Sequence, residues 1–237
     1  MRVDELANLD LAVVFHDELN PALWKGSRMR TEVREALLAI AADFREFLGL
    51  EDLDVMDITI SGSNAAYTYT PKSDIDLHLV VMIPEAHDPE LRELFNAKKY
   101  QYNDQHNIKI RGFDVELYVQ DVEQEHHSMG IYSVKDNKWV SIPKAQKAEI
   151  DDVSVEQKFE TYKERVARAV QSDDMNLVRS LIDNISNMRK SGLERGGEFS
   201  PENLAFKMLR TSGEIQRLRN HWNDLKDRSL GLESKNV

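Results

Sequence analysis

The sequence contains no cysteine, which excludes disulfide bonds, thiolate metal sites and a cysteine nucleophile. It also lacks any apolar run that approaches the roughly 20 residues needed to span a bilayer. The N-terminal segment MRVDELANLDLAVVF carries acidic residues where a secretory signal peptide needs a basic region and a long apolar run. These absences predict a soluble cytoplasmic protein with no membrane partner.

Positive charge is scarce as well, with 31 basic against 42 acidic residues and a net charge of −11. The excess of acidic residues lies in residues 1–153, which contain 16 basic and 29 acidic residues. Residues 154–237 contain 15 basic and 13 acidic residues. Non-specific affinity for nucleic acid comes mostly from Lys and Arg side chains that neutralise phosphates. The composition therefore predicts no strong non-specific nucleic-acid binding, and it leaves a small RNA as a partner for the C-terminal part.

The first 150 residues alternate between patterns typical of strands and of helices. Apolar residues at helical spacing predict a helix from Arg30 to Leu48 with Thr31 as its N-cap, and Asp88-Pro89 predicts the start of a second helix that ends near Gln105. Alternating, β-branched segments predict five strands: Val55–Ser61, Ile75–Ile83, Ile108–Gln120, and a hairpin of Ile131–Val134 with Trp139–Ile142.

From Ser154 the apolar period changes to 3.6 residues and stays there. Two helices are predicted around Val155–Val170 and Leu177–Met188, and Ser200-Pro201 predicts the start of one long last helix. The whole pattern predicts an α+β fold: a mixed sheet with flanking helices in residues 1–150, followed by an α-helical domain in residues 151–237.

The most informative segment is ITISGSNAAYTYTPKSDIDLHLVV, Ile58 to Val81. A strand ends before Gly62-Ser63, and a glycine there lets the backbone approach a phosphate where a β-carbon would collide. The hydroxyl of Ser63 can donate to the same anion, and a short helix from Asn64 would add free N–H groups. Asp74 and Asp76 stand two apart on the next strand, so we expect both on one face.

Two carboxylates about 4 Å apart repel by roughly 4 kcal/mol at an effective dielectric of 20, so a cation is expected between them. Hard oxygen ligands favour Mg²⁺, which keeps several waters and also binds substrate phosphates. An anion cradle beside a carboxylate pair is what metal-assisted phosphoryl or nucleotidyl transfer requires. Lys72 and Ser73, just before the pair, are either phosphate contacts or solvent-exposed loop residues.

A strand, a Gly-Ser pair, about ten residues and then Asp-hydrophobic-Asp-hydrophobic together resemble the signature of the DNA polymerase beta nucleotidyltransferase superfamily. The resemblance covers about Ile58 to Gln120. It implies the polymerase beta-like core, with Gly62 and Ser63 holding a nucleoside triphosphate such as ATP. It also implies that Asp74 and Asp76 bind two Mg²⁺ (or Mn²⁺) ions.

The same resemblance implies a third carboxylate from a neighbouring strand, which would help bind one metal and activate the attacking hydroxyl. The strand FDVELYV offers Asp114 and Glu116 on one face, and we favour Glu116 because it lies deeper between Val115 and Leu117. The reaction expected is transfer of a nucleoside monophosphate to an acceptor hydroxyl with release of pyrophosphate, in a cleft between the two domains.

The flanking segments, among them LNPALWKG and YSVKDNKW, are similar to nucleotidyltransferase-like proteins of bacteriophages. The chain departs from nucleic-acid polymerases because it has no recognisable template-handling module. An RNA 3′ end, a protein hydroxyl, a small molecule and a second nucleotide all remain open as acceptors, since one core serves many substrates. The alternative from another class is a catalytically inactive nucleotide-binding or protein-interaction module on the same fold.

Overall fold

The computed structural model describes five stretches of the chain, residues 13–49, 54–83, 88–124, 128–145 and 150–231. Contacts divide the chain into two compact units, one of Val14–Lys147 and one of Met1–Val13 with Ala148–Val237. The first is an α+β unit and the second is helical. The boundary predicted at residue 150 adjoins residues 146–149, which lie outside the described part.

The α+β unit contains two helices and eight strands within the described ranges. In chain order they are β1 (Trp24–Lys25), β2 (Arg28–Met29), α1 (Thr31–Leu48), β3 (Val55–Ser61), β4 (Ile75–Val81), α2 (Asp88–Gln105), β5 (Lys109–Ile110), β6 (Phe113–Asp121), β7 (Ile131–Ser133) and β8 (Lys138–Ser141). The bounds predicted for β3 and α2 are confirmed, and β4 ends two residues earlier than predicted. Helix α1 begins at Thr31 itself, with Arg30 at the cap position and no side-chain cap bond, so the predicted Thr31 cap is wrong.

Six of these strands form one mixed sheet in the order β5-β6-β4-β3-β7-β8, and β1 pairs with β2 in a separate ribbon. Strand β4 is antiparallel to β3 and parallel to β6. The parallel pair is joined by α2, the kind of crossover that a parallel connection requires. As a result β3 ends at the same edge of the sheet at which β4 and β6 begin.

Alternation along β4 separates the core from a polar face. Ile75, Leu77 and Leu79 are buried to within 1% of full burial, and they belong to the same apolar cluster as the buried stripe of α1. Because successive strand side chains point to opposite faces, Asp76 and His78 lie on the other face and are only half-buried. The core therefore fixes which face of β4 carries the acidic residues.

The predicted single strand Ile108–Gln120 is wrong, because it is a hairpin of β5 and β6. Arg111 and Gly112 between the strands both have positive φ, 53° and 93°, as tight two-residue hairpin turns require. The alternation of side chains runs through both strands, which is why the turn was not visible in the pattern.

The helical unit contains four α-helices in its described residues: α3 (Asp152–Ala169), α4 (Met175–Gly196), α5 (Pro201–Thr211) and α6 (Glu214–Leu230). The predicted helix start at Ser200 is confirmed, because its side chain caps α5 by accepting from the Asn203 N–H. The predicted single last helix is wrong. Gly213, at φ 84°, interrupts it and is the N-cap residue of α6.

Across the described ranges, no helix combines the length and the apolar character that crossing a bilayer demands.

A hydrogen bond joins the two helices of the α+β unit. The Tyr102 hydroxyl on α2 donates to Asp43 Oδ2 on α1 at 2.5 Å, and the Tyr102 ring packs against Phe44 and Phe47. Burial, together with the Asp43 carboxylate, raises the pKa of Tyr102. The phenol therefore stays protonated as a donor at neutral pH, and it fixes α2 against α1.

We expect Tyr102→Phe to lower the free energy of unfolding by about 0.5–1.5 kcal/mol, because one hydrogen bond is lost while the ring packing stays. The matched control is Tyr100→Phe on the same helix, where the side chain is 68% exposed and the effect should stay within about 0.5 kcal/mol. Urea unfolding followed by circular dichroism measures both. Equal losses in the two variants would contradict the role given to the Asp43 bond.

Candidate active site

The sheet register brings two acidic residues side by side. Asp76, the second residue of β4, is the direct partner of Glu116 on the parallel strand β6, and Ser61 at the end of β3 is its partner on the other side. Asp76 and Glu116 are both half-buried. Asp74 lies two residues earlier, just outside β4, and is half-buried as well. The carboxylates predicted to work together are thus brought to one edge of the sheet.

Gly62 lies against the Asp76 carboxylate. Its backbone has φ 76° and ψ −164°, a region that is essentially restricted to glycine. A β-carbon built on it would lie 2.1 Å from Asp76 Oδ2, far closer than any real contact. The predicted reason for the glycine was approach to a phosphate, whereas in this structure the close neighbour is the acid itself.

Asn64 is the fully buried centre of the loop between β3 and β4. Its Nδ2 donates to the Asp74 carbonyl at 2.9 Å, and its Oδ1 accepts from Asn20 at 2.8 Å. The Trp24 indole donates to the Asn64 carbonyl at 2.8 Å. The LNPALWKG segment, which contains Asn20 and Trp24, is therefore the support that holds the Asp74 backbone in place.

The predicted helix after Gly62 is a three-residue 3₁₀ turn, Ser63–Ala65. The N–H groups of Ala65 and Ala66 donate to carbonyls of the same turn. Two N–H groups of this turn are therefore used internally, so fewer remain free than a longer helix offers an anion, and contact of the turn with a phosphate stays a prediction.

The predicted nucleotide-binding side chains near this turn lie close together. Ser63 Oγ donates to Ser73 Oγ at 2.7 Å, and the buried Ser73 hydroxyl also accepts from the Thr70 N–H at 2.9 Å. Lys72 lies in the same loop and is exposed. Ser73 thus has a structural role in the loop, and contacts from Gly62, Ser63, Lys72 or Ser73 to a nucleotide stay predictions.

The two candidates for the third carboxylate differ in their surroundings. Asp114 is exposed at the start of β6 and forms a salt bridge with Lys109 across the hairpin. Glu116 lies opposite Asp76, and its Oε2 accepts a hydrogen bond of 2.6 Å from the Tyr118 hydroxyl. Of the two, the register places Glu116 in line with Asp76.

Tyr118 and Lys99 belong to this acidic edge although sequence reasoning missed both. Burial is the main cause of a raised pKa of Tyr118, and the charges of Asp76, Glu116 and Asp74 add to it in that order. Tyr118 lies two residues after Glu116 in an alternating strand, so the period of two could have placed it on this face. The Lys99 Nζ lies 3.7 Å from the centroid of the Tyr118 ring, and nothing in the helical pattern of α2 singled it out.

Burial lowers the pKa of Lys99, and the charges of Glu116 and then Asp76 act against that effect. The Lys99 ammonium therefore interacts electrostatically with both carboxylates, and more strongly with Glu116. His78 completes this face: its ring stacks on Tyr118 with centroids 4.9 Å apart, and its Nε2 lies 3.0 Å from Ser61 Oγ. This packing indicates a structural role for the His78 ring.

The donor chemistry of this edge fits a hard divalent cation. Carboxylate oxygens are the ligands that Mg²⁺ prefers, and Mg²⁺ in enzymes is usually held by one or two carboxylates together with waters and substrate phosphates. Asp76 and Glu116 match that requirement. No group of three or more His, Asp or Glu side chains is assembled for a metal within the described stretches, so Asp74, Asp76 and Glu116 do not form a complete protein cage.

Comparisons with known proteins do not assign this chain to a family. No protein-family model matches the sequence, and no curated protein matches it. The chain is similar to a solved structure of a STING-associated CdnE c-di-GMP synthase from Capnocytophaga granulosa, with 13% sequence identity over 95% of this chain and 88% of that chain. The TM-score is 0.23, so this likeness carries no argument about fold or function.

We expect Gly62→Ala to destabilise the protein more than Gly197→Ala does. Gly197 has nearly the same backbone conformation, φ 68° and ψ −157°, but a β-carbon there would meet no atom within 4 Å. Each variant bears the backbone strain of about 1–3 kcal/mol, and Gly62→Ala adds the collision with Asp76, worth about 1–3 kcal/mol more. Urea unfolding gives both values.

The Gly197→Ala variant thus measures the cost of the backbone strain without the collision with Asp76. Equal losses in free energy of unfolding would show that the Asp76 carboxylate moves aside without cost, and would contradict the additional destabilisation assigned to the contact with Asp76.

Proposed function

We propose that this chain is a metal-dependent nucleotidyltransferase that transfers a nucleoside monophosphate from a nucleoside triphosphate to an acceptor hydroxyl. The observation that carries the proposal is the register pairing of Asp76 with Glu116, with the Gly62 backbone packed against Asp76. The order of these elements along the chain supports the finer proposal of a polymerase beta-like core.

Asp76 and Glu116, with Asp74 beside them, are the residues that would hold Mg²⁺ or Mn²⁺. The bound cation would supply neutralisation of phosphate charge and polarisation of the α-phosphoryl oxygens. The protein's own contribution is positional: Asn64 holds the Asp74 backbone, and the Tyr118 hydroxyl orients Glu116 by donating to its Oε2.

In the proposed reaction the acceptor hydroxyl oxygen forms a bond to the α-phosphorus, and the bond from that phosphorus to the β-phosphate oxygen breaks. Pyrophosphate leaves with the electron pair of that bond. In the proposed reaction the carboxylate of Glu116 accepts the proton of the attacking hydroxyl, and its half-buried position at the edge where the strands begin supports this role. The candidate acceptors are an RNA 3′ end, a protein hydroxyl, a small molecule and a second nucleotide.

A second candidate is a catalytically inactive nucleotide-binding module on the same fold. The observation that favours it is the internal use of the loop side chains: Ser63 donates to Ser73, and the described residues form no three-ligand metal group. Such a module would bind a triphosphate without turnover.

The test incubates the full chain with each α-labelled nucleoside triphosphate, Mg²⁺ or Mn²⁺, and a cell extract as the source of acceptor. We expect transfer of label by the wild type and a loss of about 100-fold or more in Asp76→Asn and in Glu116→Gln, because each removes a carboxylate that acts on the transition state. The labelled species identifies the acceptor class.

Asp114→Asn is the matched control, since it neutralises an exposed carboxylate on the same strand. It should retain activity within about threefold. A loss in Asp114→Asn as large as that in Glu116→Gln would contradict the assignment of Glu116. Metal-dependent binding of a triphosphate without any transfer would favour the inactive module instead.

A further inference from the structure

Helix α2 is fixed to strand β6 beside the acidic edge by a side-chain amide. Asn103 Nδ2 donates to the Leu117 carbonyl at 3.3 Å, and its Oδ1 accepts from the Leu117 N–H at 3.2 Å. Leu117 lies between Glu116 and Tyr118 on the strand. The amide therefore sets the position of α2 relative to these two side chains.

Lys99 lies one helical turn before Asn103, and residues four apart share a helix face. The face that Asn103 turns to β6 therefore also carries Lys99, whose Nζ is 3.7 Å from the centroid of the Tyr118 ring. The hydroxyl of that ring is 2.6 Å from Glu116 Oε2, and Glu116 is the register partner of Asp76. A half-buried cation is thus built into the edge that carries the acids.

This placement is unusual for a lysine that serves only solubility. A partly buried ammonium loses hydration and needs negative charge nearby to compensate. Two half-buried carboxylates on adjacent strands need positive charge for the same reason. The charge of Lys99 therefore compensates part of the charge of the two carboxylates.

We propose that the Lys99 ammonium is a counter-ion of the Asp76–Glu116 pair and that it competes with the divalent cation for these carboxylates. The inference rests on the proposed function, because it concerns the same acids. It adds a determinant of cation affinity that lies on α2, outside the Gly-Ser and Asp-x-Asp segment. Lys99 is a positioning residue here, since it acts through the carboxylates.

The competition has a direct consequence for metal affinity. A divalent cation that approaches Asp76 and Glu116 is repelled by the ammonium or must displace it, and both lower its affinity. Removal of the Lys99 charge should therefore tighten Mn²⁺ binding about tenfold, by relief of like-charge repulsion. A lysine with a merely structural role would leave the affinity unchanged or weaken it.

The experiment titrates the full chain with Mn²⁺ and follows free Mn²⁺ by electron paramagnetic resonance. Lys99→Met is compared with Lys98→Met, the neighbouring lysine, whose Nζ lies over the Phe47 ring at 5.0 Å. Asp76→Asn assigns the binding to this site, because it should weaken binding in the wild-type and Lys99→Met backgrounds. Lys99→Gln repeats the test with a polar side chain, and circular dichroism confirms that each variant is folded.

Tighter Mn²⁺ binding in Lys99→Met, with Lys98→Met equal to wild type, supports the competition. Equal or weaker binding in Lys99→Met overturns it and leaves the proposed function standing, since the wild type still binds the cation. Binding seen only in Lys99→Met supports the competition and contradicts the metal-dependent reaction of the natural chain. Absence of binding in every variant overturns both.

Discussion

The structure of the candidate site depends on one constraint, the parallel register that places Asp76 of β4 beside Glu116 of β6. Neighbouring strands lie about 4.8 Å apart, and two carboxylates at about that distance repel by roughly 3 kcal/mol at an effective dielectric of 20. The apolar core holds β4 and β6 in this register through the opposite face, where Ile75 and Leu77 are fully buried. The fold thus stabilises a charge arrangement that the side chains alone would disfavour.

Much of this could be predicted from sequence, because the signals were local. The helical period of α1, the alternation of β3 and the sharp change of period at Ser154 each depend on burial of one face. The same alternation predicted that Asp74 and Asp76 share one face. It could not show the turn at Arg111-Gly112, since the alternation of side chains continues through both strands of the hairpin.

The rest of the site depends on contacts between distant segments, which a single sequence does not show. Asn64 was expected to begin a short helix, yet it joins Asn20 and Trp24 to the Asp74 backbone. Lys99 lies on a helix whose apolar pattern gave no reason to select it, and only the docking of α2 on β6 brings it to the acids. A charged residue such as Lys99 can act on carboxylates of a neighbouring strand without belonging to any sequence motif. Its effect requires only that it lies close to them in the folded protein.

We propose the Asp76–Glu116 pair as the cation site of a triphosphate-dependent reaction. The most direct measurement is a crystal structure of the full chain with Mn²⁺ and a non-hydrolysable nucleoside triphosphate, with the ion located by its anomalous scattering. We expect an anomalous peak bonded to both carboxylates and to phosphate oxygens, at about 2.2 Å as for hard divalent ions. A nucleotide bound elsewhere, or no peak at these carboxylates, would contradict it.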